Sequence, residues 1–120
     1  MKYMILIYHA PDQPQLETEA EQEAEMGAWF EFTQRIVESG EMISGEPLQG
    51  IETATTVSVR NGETIVTDGP FAETKEILGG FDMVDVASRE RAEQLAAELP
   101  SATYGRNEVR PLMEIPEGAG

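Results

Sequence analysis

One imidazole is present in this chain, His9, and it sits at the carboxyl end of the apolar run Lys2 to His9. An imidazole is the side chain best suited to give or take a proton near neutral pH, although a strand-end His also serves as a structural or solvated group. Further along stands Asp68-Gly-Pro-Phe-Ala-Glu-Thr-Lys-Glu-Ile-Leu-Gly-Gly-Phe81, which combines turn formers, charges and aromatic anchors. Asp68 in this setting either acts as a general base or hydrogen-bonds its own turn, and Phe71 is a natural plug for an apolar pocket. Lys75, between Glu73 and Glu76, suits an anionic substrate or a solvated ion pair of small energy. Arg110, one of only eight Lys and Arg residues, is placed to grip an anionic ligand or to pair with a buried carboxylate. Asp82 and Asp85 fall on opposite faces of one strand, so one of them points toward the helix layer or an intersubunit cleft and needs a partner such as Arg110 or Arg60, or else reaches solvent. The candidate catalytic residues are therefore Asp68 and His9, and the candidate ligand contacts are Phe71, Glu73, Lys75 and Arg110.

These residues need elements to position them. In Lys2 to His9 both faces of the strand are apolar, as in a strand covered on both sides. Thr18, with Glu21 three residues on, offers a capping box for a helix running to about Ser39, with Met26, Trp29, Phe30, Thr33, Ile36 and Val37 as its inner stripe and Gly40 as its left-handed stop. Glu41 to Leu48 reads as a short extended piece and Gln49 to Ala54 as a loop. Asn61-Gly62 joins Thr55–Arg60 to Glu63–Asp68 in a hairpin, because a type I′ turn needs positive φ at both central residues. Asp68 to Gly80 reads as turn and loop, Gly80 to Val86 as a strand. Ser88 caps a second helix with the stripe Ala92, Leu95, Ala96 and Leu99, ended by Pro100. Glu108 to Ile115 is the last strand, and residues 116–120 form a tail outside the single domain 1–115.

Strand, helix, strands, strand, helix, strand is a βαββαβ order, with both helices on one face of an antiparallel sheet. The other face is too apolar to meet water, so a second copy of the chain is its natural cover, in a homodimer formed through the sheet faces.

Composition removes several function classes. The 120 residues carry 8 Lys+Arg against 23 Asp+Glu, a formal net charge of −15, which repels a phosphate backbone and excludes nucleic acid as the expected partner. The longest apolar run, Met4 to Tyr8, is far below the roughly 20 residues of a membrane span. The N-terminus lacks the pattern of a secretory signal, and the expected location is cytoplasmic. With no Cys and one His, thiolate chemistry and multi-histidine metal sites are excluded. Glu17, Glu19, Glu21, Glu23 and Glu25 lie two apart and turn about 200° per step on a helix, so they spread around it instead of gathering a metal. Gly79-Gly80 has no phosphate-loop or dinucleotide pattern. No cofactor is expected.

The Asp68 to Phe81 run, the opening Met-Lys-Tyr-Met-Ile-Leu-Ile-Tyr and the late Glu108-Val-Arg-Pro-Leu together resemble the DGPF-motif branch of the YCII-related family, over nearly the whole chain. The resemblance implies a ferredoxin-like fold pairing into a dimeric α/β barrel. It also implies a link to proteins encoded beside alternative sigma factors. The better studied branch of that family has a His on the first helix and an Asp before a Pro after the second; those positions here look like Trp29 and Leu99, so that dyad is absent. Two functions follow as expectations. One is a small-molecule site between the sheet and the DGPF loop, with cofactor-independent acid/base, lyase or isomerase chemistry. The alternative is a non-enzymatic regulatory or interaction protein linked to sigma-factor-dependent transcription, docking by its acidic surface.

Overall fold

In the computed structural model, residues 1–11, 16–72 and 74–115 are described. Glu73 and the predicted tail 116–120 lie outside them. Strands β1 (Lys2–His9), β2 (Met42–Pro47), β3 (Thr55–Arg60), β4 (Glu63–Asp68), β5 (Ile77–Asp85) and β6 (Arg106–Pro111) alternate with helices α1 (Glu19–Glu38) and α2 (Arg89–Glu98). The main sheet has the order β2-β5-β1-β6, and β3-β4 form a separate pair. This is the ferredoxin-like βαββαβ arrangement with a β-hairpin inserted between its second and third core strands.

Each helix is bounded as its sequence dictates. The Glu21 backbone N–H donates to Thr18 Oγ1 at 3.1 Å, and the Arg91 N–H donates to Ser88 Oγ at 3.1 Å. Beyond Ser39, Gly40 adopts φ +80°. The Gly40 N–H reaches the Val37 carbonyl and the Glu41 N–H the Ile36 carbonyl, the paired bonds of a Schellman stop. Asn61 (φ 54°) and Gly62 (φ 78°) form the predicted turn between β3 and β4.

The core lies between the helices and one sheet face. Tyr3, Ile5 and Val84 meet Ala92, Leu95, Ala96 and Leu99 there, so the α2 stripe is the predicted one. The α1 stripe differs. Phe32 (2% exposed) and Ile36 are buried with Trp29 against them, whereas Phe30 (69% exposed), Met26 and Val37 face outward. The two sets sit side by side on the helix, their centres about 100° apart at 3.6 residues per turn. Together they form one wide apolar sector, and the sheet takes only one edge of it. Boundaries also move: β5 runs Ile77–Asp85 instead of Gly80 to Val86, β6 runs Arg106–Pro111 instead of Glu108 to Ile115, and a 3-10 turn occupies Ile51–Thr53 within the expected loop.

On the other sheet face, Met4 stands opposite Met83 and Leu6 opposite Phe81. The β3-β4 hairpin packs almost wholly on itself. That projection raises the radius of gyration to 16.9 Å, against about 14 Å for a compact chain of this length.

The helix phase is directly testable. Phe32→Ala is expected to lower the unfolding free energy by about 3–5 kcal/mol, and Phe30→Ala by under about 1 kcal/mol. Denaturant unfolding of the two variants checks this, and equal losses would contradict it.

Candidate functional site

α1 is anchored through Phe32 and Ile36, and residues of its N-terminal half, Glu25, Met26 and Trp29 among them, line an open groove of about 1430 Å³ together with residues of β1, β2 and β5. Its outer side is the chain from Pro47 to Glu52, its far end reaches Tyr104, and its floor includes Ile7, His9 and Asp82.

Two glycines make the floor possible. A Cβ on Gly45 would collide with Asp82 Oδ1, so only glycine in β2 lets the Asp82 carboxyl lie across the strand. Gly79 is the extra residue where the β1–β5 register slips between Ile7 and Tyr8, and a Cβ there would stand 2.9 Å from His9 Cδ2. The bulge therefore gives the imidazole its seat, in keeping with the placement of bulges beside functional sites. His9 Nδ1 lies 3.1 Å from the Ala10 carbonyl oxygen, close enough to donate a hydrogen bond to it.

Asp82 is the electrostatic exception of the structure. It alternates with Val84 and Val86 on the helix-facing side of β5, pairs in register with the fully buried Ile5, and is itself 9% exposed. Burial raises its pKa from the ordinary 3.8 to about 6, and no charged or hydrogen-bonding neighbour among the described residues offsets that. Asp85, on the opposite face, pairs with the N-terminal ammonium at 2.8 Å. Of the two carboxylates that the strand alternation sets apart, Asp82 thus faces the helix layer, and the Arg partners considered for it are engaged elsewhere. Arg110 bonds Glu108 at 2.8 Å, and Arg60 caps the Val59 carbonyl on the distant hairpin.

At the far end, Glu25 Oε1 accepts hydrogen bonds from Trp29 Nε1 at 2.9 Å and from the Tyr104 hydroxyl at 2.5 Å. Burial first, and then the Glu25 carboxylate, push the Tyr104 phenol up to about 12, so it stays a proton donor.

The residues singled out in the sequence are dispersed. His9 lines the groove. Asp68 closes β4 opposite Thr55, exposed, and the following turn is held by bonds from the Gly69 N–H to the Ala54 carbonyl and from Thr56 Oγ1 to the Gly69 carbonyl. Phe71 is 86% exposed. Lys75 is exposed in the segment leading into β5, and Arg110 is exposed on β6; neither lines the groove. Asp82 was legible as one of two alternating carboxylates, but its isolation was not. Glu25 and Tyr104 are 79 positions apart in the chain, and no local pattern joins them. Trp29 and Leu99, the two positions expected to stand where the related branch has its His and Asp, lie apart in role: Trp29 lines the groove and Leu99 is buried in the core.

The model of the YCII-related domain matches residues 1–116. The chain belongs to the YCII-related family. It is 38% identical, over 114 residues, to an uncharacterised protein (R00369) of Rhizobium meliloti (strain 1021), a match covering 93% of this chain and 92% of that one. Among solved structures it is similar to 5-chloro-2-hydroxyhydroquinone dehydrochlorinase (TftG) from Burkholderia phenoliruptrix AC1100, in complex with 2,5-dihydroxybenzoquinone, with a TM-score of 0.54, 12% identity and coverage of 95% of both chains. At that identity the likeness establishes the shared fold.

The isolation of Asp82 has a stability signature. Its folded-state pKa lies above its unfolded value, so its contribution is favourable below about pH 4 and is lost as pH rises through about 6. Asp82→Asn removes the penalty. The variant is expected to be more stable than wild type at pH 7.5 by up to about 3 kcal/mol, an advantage that shrinks toward zero at pH 4. Thermal unfolding at the two pH values checks it; a pH-independent difference would contradict it.

Proposed function

We propose that this YCII-related chain binds a small molecule in the groove beneath α1 and carries out cofactor-independent acid/base chemistry there, of the lyase or isomerase type. The observation that carries this reading is the buried, unpaired carboxyl of Asp82. With a pKa near 6 it is a stronger base than an ordinary Asp, yet it holds its charged form at neutral pH, the balance a proton-transfer group needs. It takes the proton from a carbon next to an electron-withdrawing group and returns it at the same or a neighbouring atom. His9 on the same floor is the second acid/base contact. The Tyr104 hydroxyl, whose proton is donated to Glu25, presents its oxygen as an acceptor to a substrate N–H or O–H at the far end. A protein of the same fold is named as a dehydrochlorinase and holds a small quinone, which supports the small-molecule reading.

The same proposal includes a homodimer. Met4, Leu6, Tyr8, Phe81 and Met83 make a continuous apolar sheet face, and two such faces packed together give the dimeric α/β barrel. A contribution from Asp68 or Phe71 on the hairpin end would then come through the second copy.

Two measurements test the reading. Native mass spectrometry is expected to give twice the chain mass, and a monomer would contradict the pairing. A panel of small carbon acids in deuterium oxide, followed by NMR, is expected to show enzyme-dependent deuterium uptake. The uptake rises as pH passes about 6 and falls at least ~100-fold in Asp82→Asn. No uptake across the panel, or uptake undiminished in the variant, would contradict the chemistry.

A further inference from the structure

The groove is selective in charge as well as shape. Four carboxylates line it, from Glu25, Glu46, Glu52 and Asp82, and among the described residues none of them takes part in an ion pair. Of the eight Lys and Arg residues in the sequence, none lines it. Residues 12–15, which lie between two lining residues in sequence, contain no Lys or Arg either. Five of the basic side chains are committed elsewhere: Arg35 to Glu98, Arg89 to Glu93, Arg91 to Glu41, Arg106 to Glu76 and Arg110 to Glu108. The chain thus satisfies acidic groups outside the groove with its few bases and leaves those inside it without one.

The walls add a second preference. Trp29, Phe30 and Tyr104 present aromatic surface, with Met26 and Met42 beside them. Aromatic faces attract cations through their quadrupoles, and thioethers adapt to an irregular apolar body. Asp82, the carboxyl nine-tenths buried on the floor, lacks the counter-charge that would offset its desolvation. A bound ammonium supplies that charge. A carboxylate or phosphate on the ligand would instead meet four negative groups in a partly water-excluded site, where like charges repel more strongly than in bulk solvent.

We infer that the groove takes an organic cation, an amine protonated at neutral pH on an aromatic or short alkyl body, with its ammonium against Asp82 and its body along Trp29 and Phe30. This rests on the groove being the functional site, and it narrows the substrate class to amine-bearing molecules.

Trp29 is the only tryptophan in the chain, so its fluorescence reports the groove alone. The test titrates the full-length protein at pH 7.5 with primary amines from butylamine to 2-phenylethylamine, with the matching alcohols, and with carboxylates of equal length. Amines are expected to bind at least tenfold more tightly than their alcohols and carboxylates most weakly, with Asp82→Asn bringing amine affinity down to that of the alcohol. A second reading keeps the test independent of that variant's folding. Wild-type amine affinity should fall as pH drops from 7.5 through 6, where Asp82, which shares the groove with His9, Glu25, Glu46 and Glu52, takes up a proton, while alcohol affinity stays level. Alcohols or carboxylates binding as tightly as amines would overturn the inference and leave the groove as a small-molecule site. No response of Trp29 to any member of the three series would overturn both.

Discussion

A carboxyl held away from water without a counter-charge costs free energy that the rest of the fold must supply, and this sheet keeps one at Asp82. The arrangement depends on how α1 is anchored. Phe32 and Ile36 fix the C-terminal half of the helix to the sheet, and the N-terminal half is tied at Glu25 to the Tyr104 hydroxyl, with the groove alongside. Had the helix packed along its whole length, Asp82 would lie under apolar side chains with no route to a ligand. Held through Phe32 and Ile36 and again at Glu25, α1 shields the carboxyl from bulk water and still leaves the groove open along its side. Gly45 completes the arrangement, since any larger residue in β2 would displace the Asp82 side chain.

Much of the frame was legible because it is encoded locally. A short continuous apolar run marks β1, the Asn61-Gly62 pair marks the hairpin, and Thr18, Gly40 and Ser88 mark helix ends, each through a signal within a few positions in the chain. The phase of α1 was not legible. Its apolar sector is wide enough for two alternative stripes, and which one is buried depends on where the sheet edge ends, a long-range property. The strand boundaries at Ile77 and Arg106 depend likewise on pairing with β1. At the site, period-2 alternation separated Asp82 from Asp85, but it could not show that every Arg would be occupied elsewhere. The Asp68 to Phe71 turn drew attention by its density of turn formers, and in the structure those residues close the hairpin, away from the groove.

Net charge ties the site to the whole molecule. At −15 the protein creates a negative field that repels anions before they reach the surface and draws cations toward it, most strongly where carboxylates line a concave, partly apolar wall. The paired bases neutralise acidic groups at element junctions, such as Glu41 and Arg91 between β2 and α2, where two bonds of 2.9 Å fix α2 against the sheet. That allocation leaves the groove both acidic and unbraced.

The isolation of Asp82 is the central claim, and it is measured most directly by following the Asp82 side-chain carboxyl carbon by NMR from pH 3 to pH 8 in the ligand-free protein. The structure predicts a midpoint near 6, set apart from the exposed carboxylates of the chain. A midpoint at the ordinary value near 4 would show that water or a cationic partner reaches Asp82, and would contradict this account of the site.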